Sequence, residues 1–263
     1  MTAIFHPTDL SPASAVAFRH ALRLSLHDGA ALTIMHVHGP LSADTPWKAF
    51  PAVRDTLSEW HEGTHHLPRV RKIEASGREV ANVLSDYLDR HDADLIVLAS
   101  HPREGIAAMV RRPVSQALFR KTHLPTLVVP EGQEGFVRFD GEIRLDTLLL
   151  PVAEEPDPQI GVDFVFSLMK RVGVTPGRLV TLHAGDTPVR HAPALPKSVA
   201  VEALAMKGDA HDAIVRSAES VAADLIVMTS AGHDSVHDML FGSTFEQVVR
   251  HAPCPVLVLP ARG

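Results

Sequence analysis

The sequence predicts an α/β protein built from two tandem copies of one domain, each with a five-stranded parallel sheet. Apolar stretches of strand length alternate along the chain with stretches whose apolar residues recur at helical spacing. This alternation is typical of parallel sheets covered by helices on both faces. Residues 94–130 also match residues 224–260 without a gap. The 263 residues therefore divide into two copies, each of about the commonest domain size.

The repeat is marked by two strands that both begin with Asp-Leu-Ile-Val. Asp94 opens the first of these strands and Asp224 opens the second, so the copies are displaced by 130 residues. A displacement this long indicates a duplicated domain, because solenoid repeats have periods of about 20–50 residues. We therefore predict a first domain over residues 1–130, a polar linker over 131–144 and a second domain over 145–263.

The first domain is predicted to have the order β-α-β-(α)-β-α-β-α-β. Its first strand, Ala3–His6, is apolar and is expected to end at Pro7. Ser11 and Pro12 then form a typical helix N-cap and first helical residue. The apolar face of this helix is expected at Ala15, Phe18, Leu22 and Leu26. The further elements are strands over Ala31–Val37, Val70–Ala75, Leu95–Ala99 and Thr126–Val129, helices over Val80–Arg90 and Val114–Lys121, and a helix over Pro51–Glu62 inside an irregular insert.

The second domain repeats this order, and Pro151 is expected to end its first strand as Pro7 does in the first copy. Its elements are strands over Thr147–Leu150, Leu179–His183, Val199–Ala205, Leu225–Thr229 and Val256–Leu259, and helices over Gln159–Val172, after Asp209 and over Ser243–Arg250. Open parallel sheets bind ligands beyond the carboxyl ends of their strands. The residues that follow the strands are therefore the first candidates for a functional site.

Composition and net charge indicate which kinds of partner the protein can bind and in which cellular compartment it is expected. A formal charge of −6 gives nucleic acid and anionic membranes no electrostatic reason to bind. The chain has one cysteine, Cys254, and its start lacks the basic and apolar segments of a signal peptide. It also lacks an uninterrupted apolar stretch of about 20 residues. We expect a soluble, cytoplasmic protein whose partners are neither nucleic acid nor a membrane.

A phosphate site is predicted after the fourth strand of the second copy. Gly232 gives the backbone freedom just beyond this strand, and Gly242, Ser243 and Thr244 stand where the next helix is expected to begin. A helix start offers unpaired N–H groups and the positive end of the helix dipole, which together favour anions. The alternative is that Gly242 is an ordinary loop residue and Ser243 an ordinary N-cap.

In this stretch the chain resembles the universal stress protein family. Nucleotide-binding members of that family carry Gly-x-x-Gly, nine residues, and then Gly-Ser or Gly-Thr. Thr229, Gly232, Gly242 and Ser243 occupy these four places, and the resemblance extends over nearly the whole chain. It implies a fold of the adenine nucleotide alpha hydrolase type. It also implies a function in the stress response through binding of ATP or another adenine nucleotide.

The first copy keeps only part of the nucleotide site that the resemblance implies. In the family, an aspartate after the first strand and a valine at the end of the second hold the adenosine. The first copy has these residues as Asp9 and Val37. Its glycine loop is replaced by Ala99, Pro102, Arg112 and Pro113. Since prolines lack an N–H group, a standard triphosphate cradle is not expected there, although the nearby arginines could hold an anion by charge.

The second copy shows the opposite pattern. It keeps the later glycines of the loop and the hydroxyl residues, but it has Ala153 in place of the aspartate and Ala184 in place of the valine. Nucleotide binding is therefore expected mainly at the second copy. The candidate cofactor-binding residues are Thr229, Gly232, Gly242, Ser243, Thr244, Asp9 and Val37.

The remaining motifs predict neither a catalytic site nor a metal site. His61 and His65 are one helical turn apart, but no third ligand is fixed, so a solvated insert is favoured over a zinc site. Cys254 lies between two prolines and is expected to be buried and inert. The chain lacks the P-loop, dinucleotide-binding and nucleophile-elbow motifs. We expect a protein that acts by binding and is not an enzyme.

The fifth strands of the two copies, Thr126–Val129 and Val256–Leu259, are expected to join them. Both are apolar, and apolar edge strands need a partner. The resemblance implies that the family's usual homodimer contact is reproduced here inside one chain, as a pseudo-dimer. A homodimer of the whole chain and an unidentified protein partner are left open. The alternative to nucleotide binding is a nucleotide-free interaction scaffold of the same fold.

Overall fold

The computed structural model describes residues 1–27, 29–39, 49–61, 67–100, 114–185, 193–196, 199–230 and 238–261, with the helical backbone alone for 238–243. Within these ranges no helix is long and apolar enough to cross a lipid bilayer. The strands are β1 (Ala3–Thr8), β2 (Ala31–His38), β3 (Val70–Ser76), β4 (Leu95–Ser100), β5 (Thr126–Pro130), β6 (Thr147–Val152), β7 (Arg178–Ala184), β8 (Ala200–Met206), β9 (Leu225–Ser230) and β10 (Val256–Pro260). The helices are α1 (Pro12–Leu26), α2 (Val53–Glu59), α3 (Val80–Leu88), α4 (Val114–Thr122), α5 (Gln159–Arg171), α6 (Ala210–Ser220) and α7 (Asp238–His251).

The described strands form one sheet in the order β3-β2-β1-β4-β5-β10-β9-β6-β7-β8. Within each half all neighbouring strands are parallel, as the alternation of strands and helices predicts. β5 and β10 pair antiparallel, with Val128 opposite Val256 and Leu127 opposite Leu257. The pairing expected between the two fifth strands is therefore present.

This antiparallel contact decides where the strand ends of the two halves lie. Because β5 and β10 run in opposite directions, the carboxyl ends of the first-half strands lie at one end of the sheet, and those of the second half lie at the other. β1 and β6 are also five positions apart in the strand order, which is about 24 Å at the usual strand spacing. A site in the first half therefore shares no residues with a site in the second.

Helices cover both faces of the sheet and bury two apolar layers. Strand residues alternate between the layers: Ile4 belongs to the layer that contains residues of α1, α2 and α5, and Phe5 belongs to the layer that contains residues of α3, α4, α6 and α7. Burying an aliphatic or aromatic side chain of this kind contributes about 1.5–3 kcal/mol relative to leaving it in water. The two layers make the sheet a rigid platform for the residues at its strand ends.

The repeated aspartates of the Asp-Leu-Ile-Val segments have a structural role. The Asp94 carboxylate accepts the backbone N–H groups of Thr2 and Ala3, the latter at 3.0 Å. Asp224 does the same for Asp146 and Thr147, at 2.8 and 2.9 Å. Partial burial opposes ionisation of Asp94, but these hydrogen bonds outweigh it and lower the pKa of the carboxyl group. Each aspartate thus ties its own strand to the start of the first strand in its half.

Pro7 and Pro151 do not end the first strand of each half, so this part of the sequence prediction was wrong. β1 continues through Pro7 to Thr8, and β6 continues through Pro151 to Val152. Pairing of β1 with β4, and of β6 with β9, stops before either proline is reached. A proline beside an unpaired stretch removes no ladder hydrogen bond, so the strand can continue.

Helix α1 begins as predicted, since the hydroxyl of the N-cap residue Ser11 accepts the N–H of Ser14 at 3.2 Å. Its buried face differs from the prediction at one position. Phe18 and Leu22 are buried, but Ala15 is exposed to solvent. The linker packs against this helix at His20, where Phe136 and Val137 contact the imidazole ring.

Part of the linker, residues 131–144, is packed against the first half, which its polar composition did not indicate. Phe136 and Val137 are almost completely buried, and Val137 pairs with Ile143 in an isolated antiparallel bridge. The indole N–H of Trp60 donates to the carbonyl of Phe139 at 2.8 Å. The segment between the halves is therefore an integral part of the first-half core.

His20 of α1 is the centre of this contact. Its Nδ1 donates to the carbonyl of Val16 at 2.9 Å, and its Nε2 accepts the N–H of Val137 at 3.2 Å. The Phe136 ring meets the imidazole edge-on, with 4.6 Å between centroids. Complete burial lowers the pKa of His20 to about 4. The ring is therefore neutral at pH 7, and both of its nitrogens are hydrogen-bonded.

Candidate functional site

A small cavity lies at the carboxyl ends of β6, β7 and β9, where a parallel sheet is expected to bind ligands. Its volume is about 70 Å³. The walls come from these strand ends, from the segment that follows β6, and from α6 and α7. The residues that matter most for its chemistry are Ala153, Ala184, Ala210, Met228, Thr229 and Thr244.

Two of the predicted binding residues, Thr229 and Thr244, meet in this cavity. Thr229 lies near the end of β9 and Thr244 lies on α7, so a strand and the next described helix bring two hydroxyl side chains to one space. The other described lining residues are apolar, and none of them is charged. The cavity can therefore offer a ligand apolar contact and two hydroxyl groups.

Ala153 and Ala184 line the same cavity. These are the positions at which the second copy has alanine where the first copy has Asp9 and Val37. The cavity thus occupies the place in the second half that corresponds to the predicted adenosine position. Because both side chains are small and uncharged, this part of the wall presents apolar surface and no carboxylate that could accept a hydroxyl group.

Helix α7 begins at Asp238, so the prediction that Ser243 begins this helix was wrong. Gly242, Ser243 and Thr244 lie in its second turn. The N–H groups left unpaired by helix geometry are those of the first turn, which lies before Gly242. Three of the four residues in this first turn, Asp238–Phe241, are apolar, so polarity did not hide it. The prediction started the helix too late because Gly242 followed by Ser243 resembles a loop residue and an N-cap. Gly232, the other predicted loop residue, lies outside the described residues.

Asp9 and Val37 are at the carboxyl ends of β1 and β2, in the other half. Asp9 is exposed, and its Oδ1 accepts the N–H of Ser11 at 3.0 Å and the hydroxyl of Ser14 at 2.6 Å. This carboxylate therefore helps to hold the start of α1. Val37 is half-buried and packs in the apolar layer on the face of the sheet that α1 does not cover. The structure does not bring either residue to Thr229 and Thr244.

A histidine joins the first two strands at their carboxyl ends in both halves. Nδ1 of His36 lies 2.8 Å from the carbonyl of Thr8, and Nδ1 of His183 lies 3.4 Å from the carbonyl of Val152. Sequence reasoning did not single out His183. The signal was available, because the pair His183 and Ala184 stands at the same place as His36 and Val37. These histidines position the strand ends that surround each site.

Asp209, His211 and Asp212 form a cluster at the start of α6 that sequence reasoning missed. Oδ1 of Asp209 lies 2.5 Å from Nδ1 of His211, and Oδ1 of Asp212 lies 3.1 Å from Nε2. The two carboxylates thus contact opposite nitrogens of one ring, which is a hydrogen-bonded arrangement and not a set of ligands around one ion. The backbone N–H of His211 also donates to Asp209 and contributes most to lowering the pKa of that carboxyl group.

Cys254 is buried, as predicted, with 4% of its surface exposed. Burial raises the pKa of its thiol to about 12, so the thiol is protonated and unreactive at neutral pH. Of the pair His61 and His65, for which a solvated insert was favoured over a zinc site, His65 lies outside the described residues. The same holds for the replaced loop of the first copy, residues 101–113.

Comparison with known proteins gives a consistent family match. The sequence model of the universal stress protein family matches residues 1–130 and 174–260. A universal stress protein of Thermus aquaticus, named for its position 3′ of a QAH/OAS sulfhydrylase, is 34% identical over 113 residues, which cover 43% of this chain and 76% of that protein. A universal stress protein of Methanocaldococcus jannaschii is 43% identical over 54 residues, covering 20% of this chain and 32% of that protein.

Solved structures show the same fold along the whole chain. A universal stress protein from Archaeoglobus fulgidus superposes with a TM-score of 0.66 at 18% identity, covering 98% of this chain and 96% of that one. A functionally unknown protein from Pseudomonas aeruginosa superposes with a TM-score of 0.67 at 14% identity, covering 99% of this chain and 92% of that one. The family match leaves out residues 131–173, which contain β6, α5 and Ala153.

Proposed function

Because the chain belongs to the universal stress protein family, we propose that it acts in the stress response by binding an adenine nucleotide, ATP or a close relative, in its second half. The observation that carries this proposal is the cavity at the ends of β6, β7 and β9. It joins Thr229 and Thr244, two of the residues predicted to bind nucleotide, to the positions predicted to hold the adenosine.

The size of the cavity limits which part of a nucleotide it can hold. Pockets for small molecules usually measure about 300–1,000 Å³, whereas this cavity measures about 70 Å³. It therefore accommodates one edge of the base against Ala184 and Met228. The sugar and phosphates extend outward from the carboxyl end of β9.

We propose that this binding is not followed by catalysis. The described lining of the cavity carries no carboxylate, imidazole or amine that could act as a general base. We further propose that the protein works in the cytoplasm, since a lone, buried cysteine suits a reducing compartment. The fused halves would then act together as a pseudo-dimer. An unidentified protein partner would distinguish the nucleotide-bound form of the chain from the nucleotide-free form.

The proposal is tested by filling the cavity. Ala184→Phe places a large side chain where the base is expected to lie, and we expect it to lower ATP affinity at least tenfold in calorimetric titration of the full chain. Val37→Phe makes the corresponding change at the end of β2 and serves as the matched control. ATP binding that survives Ala184→Phe but is lost in Val37→Phe would place the nucleotide in the first half.

A restoring variant tests the same site from the other direction. Ala153→Asp together with Thr229→Gly returns the two residues that the family pattern contains. The glycine removes one hydroxyl from the cavity, but it also removes a Cβ from the place where that pattern lets the backbone approach phosphate. A hydrogen bond to a charged group contributes about 1.5–3 kcal/mol, and each 1.4 kcal/mol is about tenfold in affinity. We therefore expect ATP to bind this double variant roughly ten to a hundred times more tightly than the natural chain.

A nucleotide-free scaffold is the second candidate function. The small volume of the cavity and the uncharged character of its described lining favour it. If neither the natural chain nor the restoring double variant binds ATP or AMP, while both keep the same circular dichroism spectrum, the scaffold function replaces nucleotide binding.

A further inference from the structure

The strand β8 lies at one edge of the described sheet and differs from most edge strands. Five of its seven residues are exposed, and six of the seven are apolar. Val201 alone exposes 49% of its surface. Edge strands present unpaired N–H and C=O groups, and proteins normally protect them with lysines, prolines, bulges or a covering element. Within its own seven residues, β8 has neither lysine nor proline.

The opposite edge of the same sheet is protected in the usual way. β3 contains Arg71, Lys72 and Glu74, and only its residues Arg71 and Ser76 are exposed. Helix α2 lies beside it, since residues of α2 and β3 share the walls of one groove. β3 and β8 are corresponding strands of the duplicated domain, but they differ in exposure: β3 is charged and mostly covered, whereas β8 is apolar and mostly exposed.

The one charge on β8 is neutralised within the chain. Glu202 forms an ion pair with Arg178 of β7 at 3.1 Å. Arg178 is held on the β7 side, because it also donates to the carbonyl of Val221 at 2.7 Å. The edge of β8 is therefore close to neutral on a chain whose formal charge is −6. It is a surface on which two such chains can approach without direct repulsion.

We propose that β8 pairs antiparallel with β8 of a second copy of this chain, so that the sheet continues across a two-fold axis near Ala203. A two-fold axis brings the same surface patch of both copies together, as in most homodimers. In this register Val201 lies opposite Ala205 of the other copy, so a larger side chain faces a small one. Ala203 lies opposite its own equivalent, where two methyl groups allow close contact.

The chain already uses the same kind of contact once. Equivalent strands of its two halves, β5 and β10, pair antiparallel edge to edge, with Val128 opposite Val256. Pairing of β8 with its own copy repeats this geometry at the free edge. The inference does not depend on nucleotide binding, since β8 contributes no residue to the cavity.

Sedimentation of the full chain at concentrations on the order of 1–100 µM, where small interfaces associate, tests this pairing. We expect the mass to rise with concentration from 28.5 kDa towards twice that value. Salt should strengthen the association, because it screens the repulsion between two acidic chains. Ala203→Lys places like charges opposite each other and should weaken the association at least tenfold. Ser76→Lys adds the same charge at the other edge and should leave it unchanged.

A cross-link identifies the register. Opposite residues of an antiparallel pair have Cα atoms about 4.5–5.5 Å apart, within the range of about 4.4–6.8 Å that a disulfide spans. Mild oxidation of Ala203→Cys should therefore give a covalent dimer, and Ser76→Cys should not. The buried thiol of Cys254 does not compete.

Three results would each overturn the proposal. The first is a mass that stays at 28.5 kDa over the whole concentration range. The second is association of Ala203→Lys that equals that of the natural chain. The third is a covalent dimer formed as readily by Ser76→Cys as by Ala203→Cys. Circular dichroism of each variant confirms that the exposed substitutions leave the fold intact.

Discussion

His6 and His20 both carry imidazole rings that are completely buried. Nδ1 of His6 lies 2.8 Å from the carbonyl of Val97, while its Nε2 has no hydrogen-bond partner in the described part of the chain. Burial lowers the pKa of each ring to about 4. Sequence reasoning recognised neither, because a histidine within an apolar strand or helix can equally be a solvated residue.

These histidines predict acid sensitivity. In the unfolded chain each titrates near its ordinary pKa of 6.5, whereas in the folded chain each titrates near 4. As the pH falls through this window, the unfolded state binds protons that the folded state does not, so the free energy of unfolding falls. The loss is at most about 3 kcal/mol for each histidine, and stability is restored above pH 6.5.

The substitution His6→Leu tests this directly, because the second half has Leu150 at the corresponding position. We expect the variant to lose less stability on acidification than the natural chain, as measured by urea unfolding at neutral pH and about two units lower. His91→Gln changes an exposed histidine and serves as the control. An acid response that is identical in the natural chain and His6→Leu would contradict the prediction.

At the scale of elements, the contact between α1 and the linker shows how a polar segment can become part of a core. Gly135 has a positive φ of 79°, and a Cβ there would lie 2.3 Å from the His20 ring. Gly132 has the same φ, but a Cβ there would meet nothing within 4 Å. A side chain at either position would be strained by the positive φ, but only one at Gly135 would also collide with a neighbouring side chain. Comparing the two positions therefore distinguishes the cost of backbone strain from the cost of overpacking.

We expect Gly135→Ala to destabilise the chain more than Gly132→Ala. Both substitutions place a side chain at positive φ, and Gly135→Ala additionally overpacks the contact with His20, which costs about 1–3 kcal/mol. Denaturant unfolding of both variants measures the difference. Equal losses of stability in the two variants would show that the linker is not closely packed against the His20 ring in solution.

The β5–β10 contact carries a second prediction at this scale. Val128 is fully buried between the halves, whereas Val201 on β8 is half exposed. Val128→Lys introduces a charge without a partner into this contact, and breaking a buried interaction in this way costs about 3 kcal/mol or more. Val201→Lys should change the free energy of unfolding by less than about 1 kcal/mol. Thermal unfolding distinguishes the two, and a Val128→Lys midpoint equal to that of Val201→Lys would rule out a buried contact.

At the scale of the whole molecule, the two halves do not complete each other's sites. The first copy keeps Asp9 and the second keeps the hydroxyl residues, and one could expect the two sets to combine. The antiparallel join of β5 and β10 places them at opposite ends of the sheet. A site in either half is therefore limited to what its own strand ends provide.

We accordingly expect Asp9→Asn to leave ATP affinity at the second half unchanged, with one nucleotide bound per chain. Calorimetric titration gives both the affinity and the stoichiometry. Ala184→Phe is the positive control, since it changes the cavity itself. A loss of binding in Asp9→Asn equal to that in Ala184→Phe would mean that the first half holds the nucleotide.

Most elements were predictable because their signals are local. The prediction located all ten strands of the described sheet, most of them from apolar runs and β3 from a weaker pattern, and the N-cap at Ser11 located the start of α1. The errors lie where local signals conflict. Pro7 suggested a strand end although β1 continues to Thr8, and the N-cap signal at Gly242 and Ser243 placed the start of α7 one turn too late.

The residues that line the candidate site could be predicted from the sequence, but the size and shape of the cavity could not. Thr229, Thr244 and the two alanines follow from the internal repeat and the family pattern. The volume that they enclose depends on how α6 and α7 pack over the strand ends, and no sequence pattern specifies that distance.

Residue order alone establishes the duplication, the alternation of strands and helices, and the absence of part of the site pattern from each copy. These properties depend on residue identity and spacing along one chain. The folded chain was needed to show that the two partial sites lie at opposite ends of the sheet, that Gly135 and Phe136 pack on His20, and that β8 is an apolar edge strand. Such properties depend on strand direction and on contacts between residues far apart in sequence, which short-range patterns do not encode.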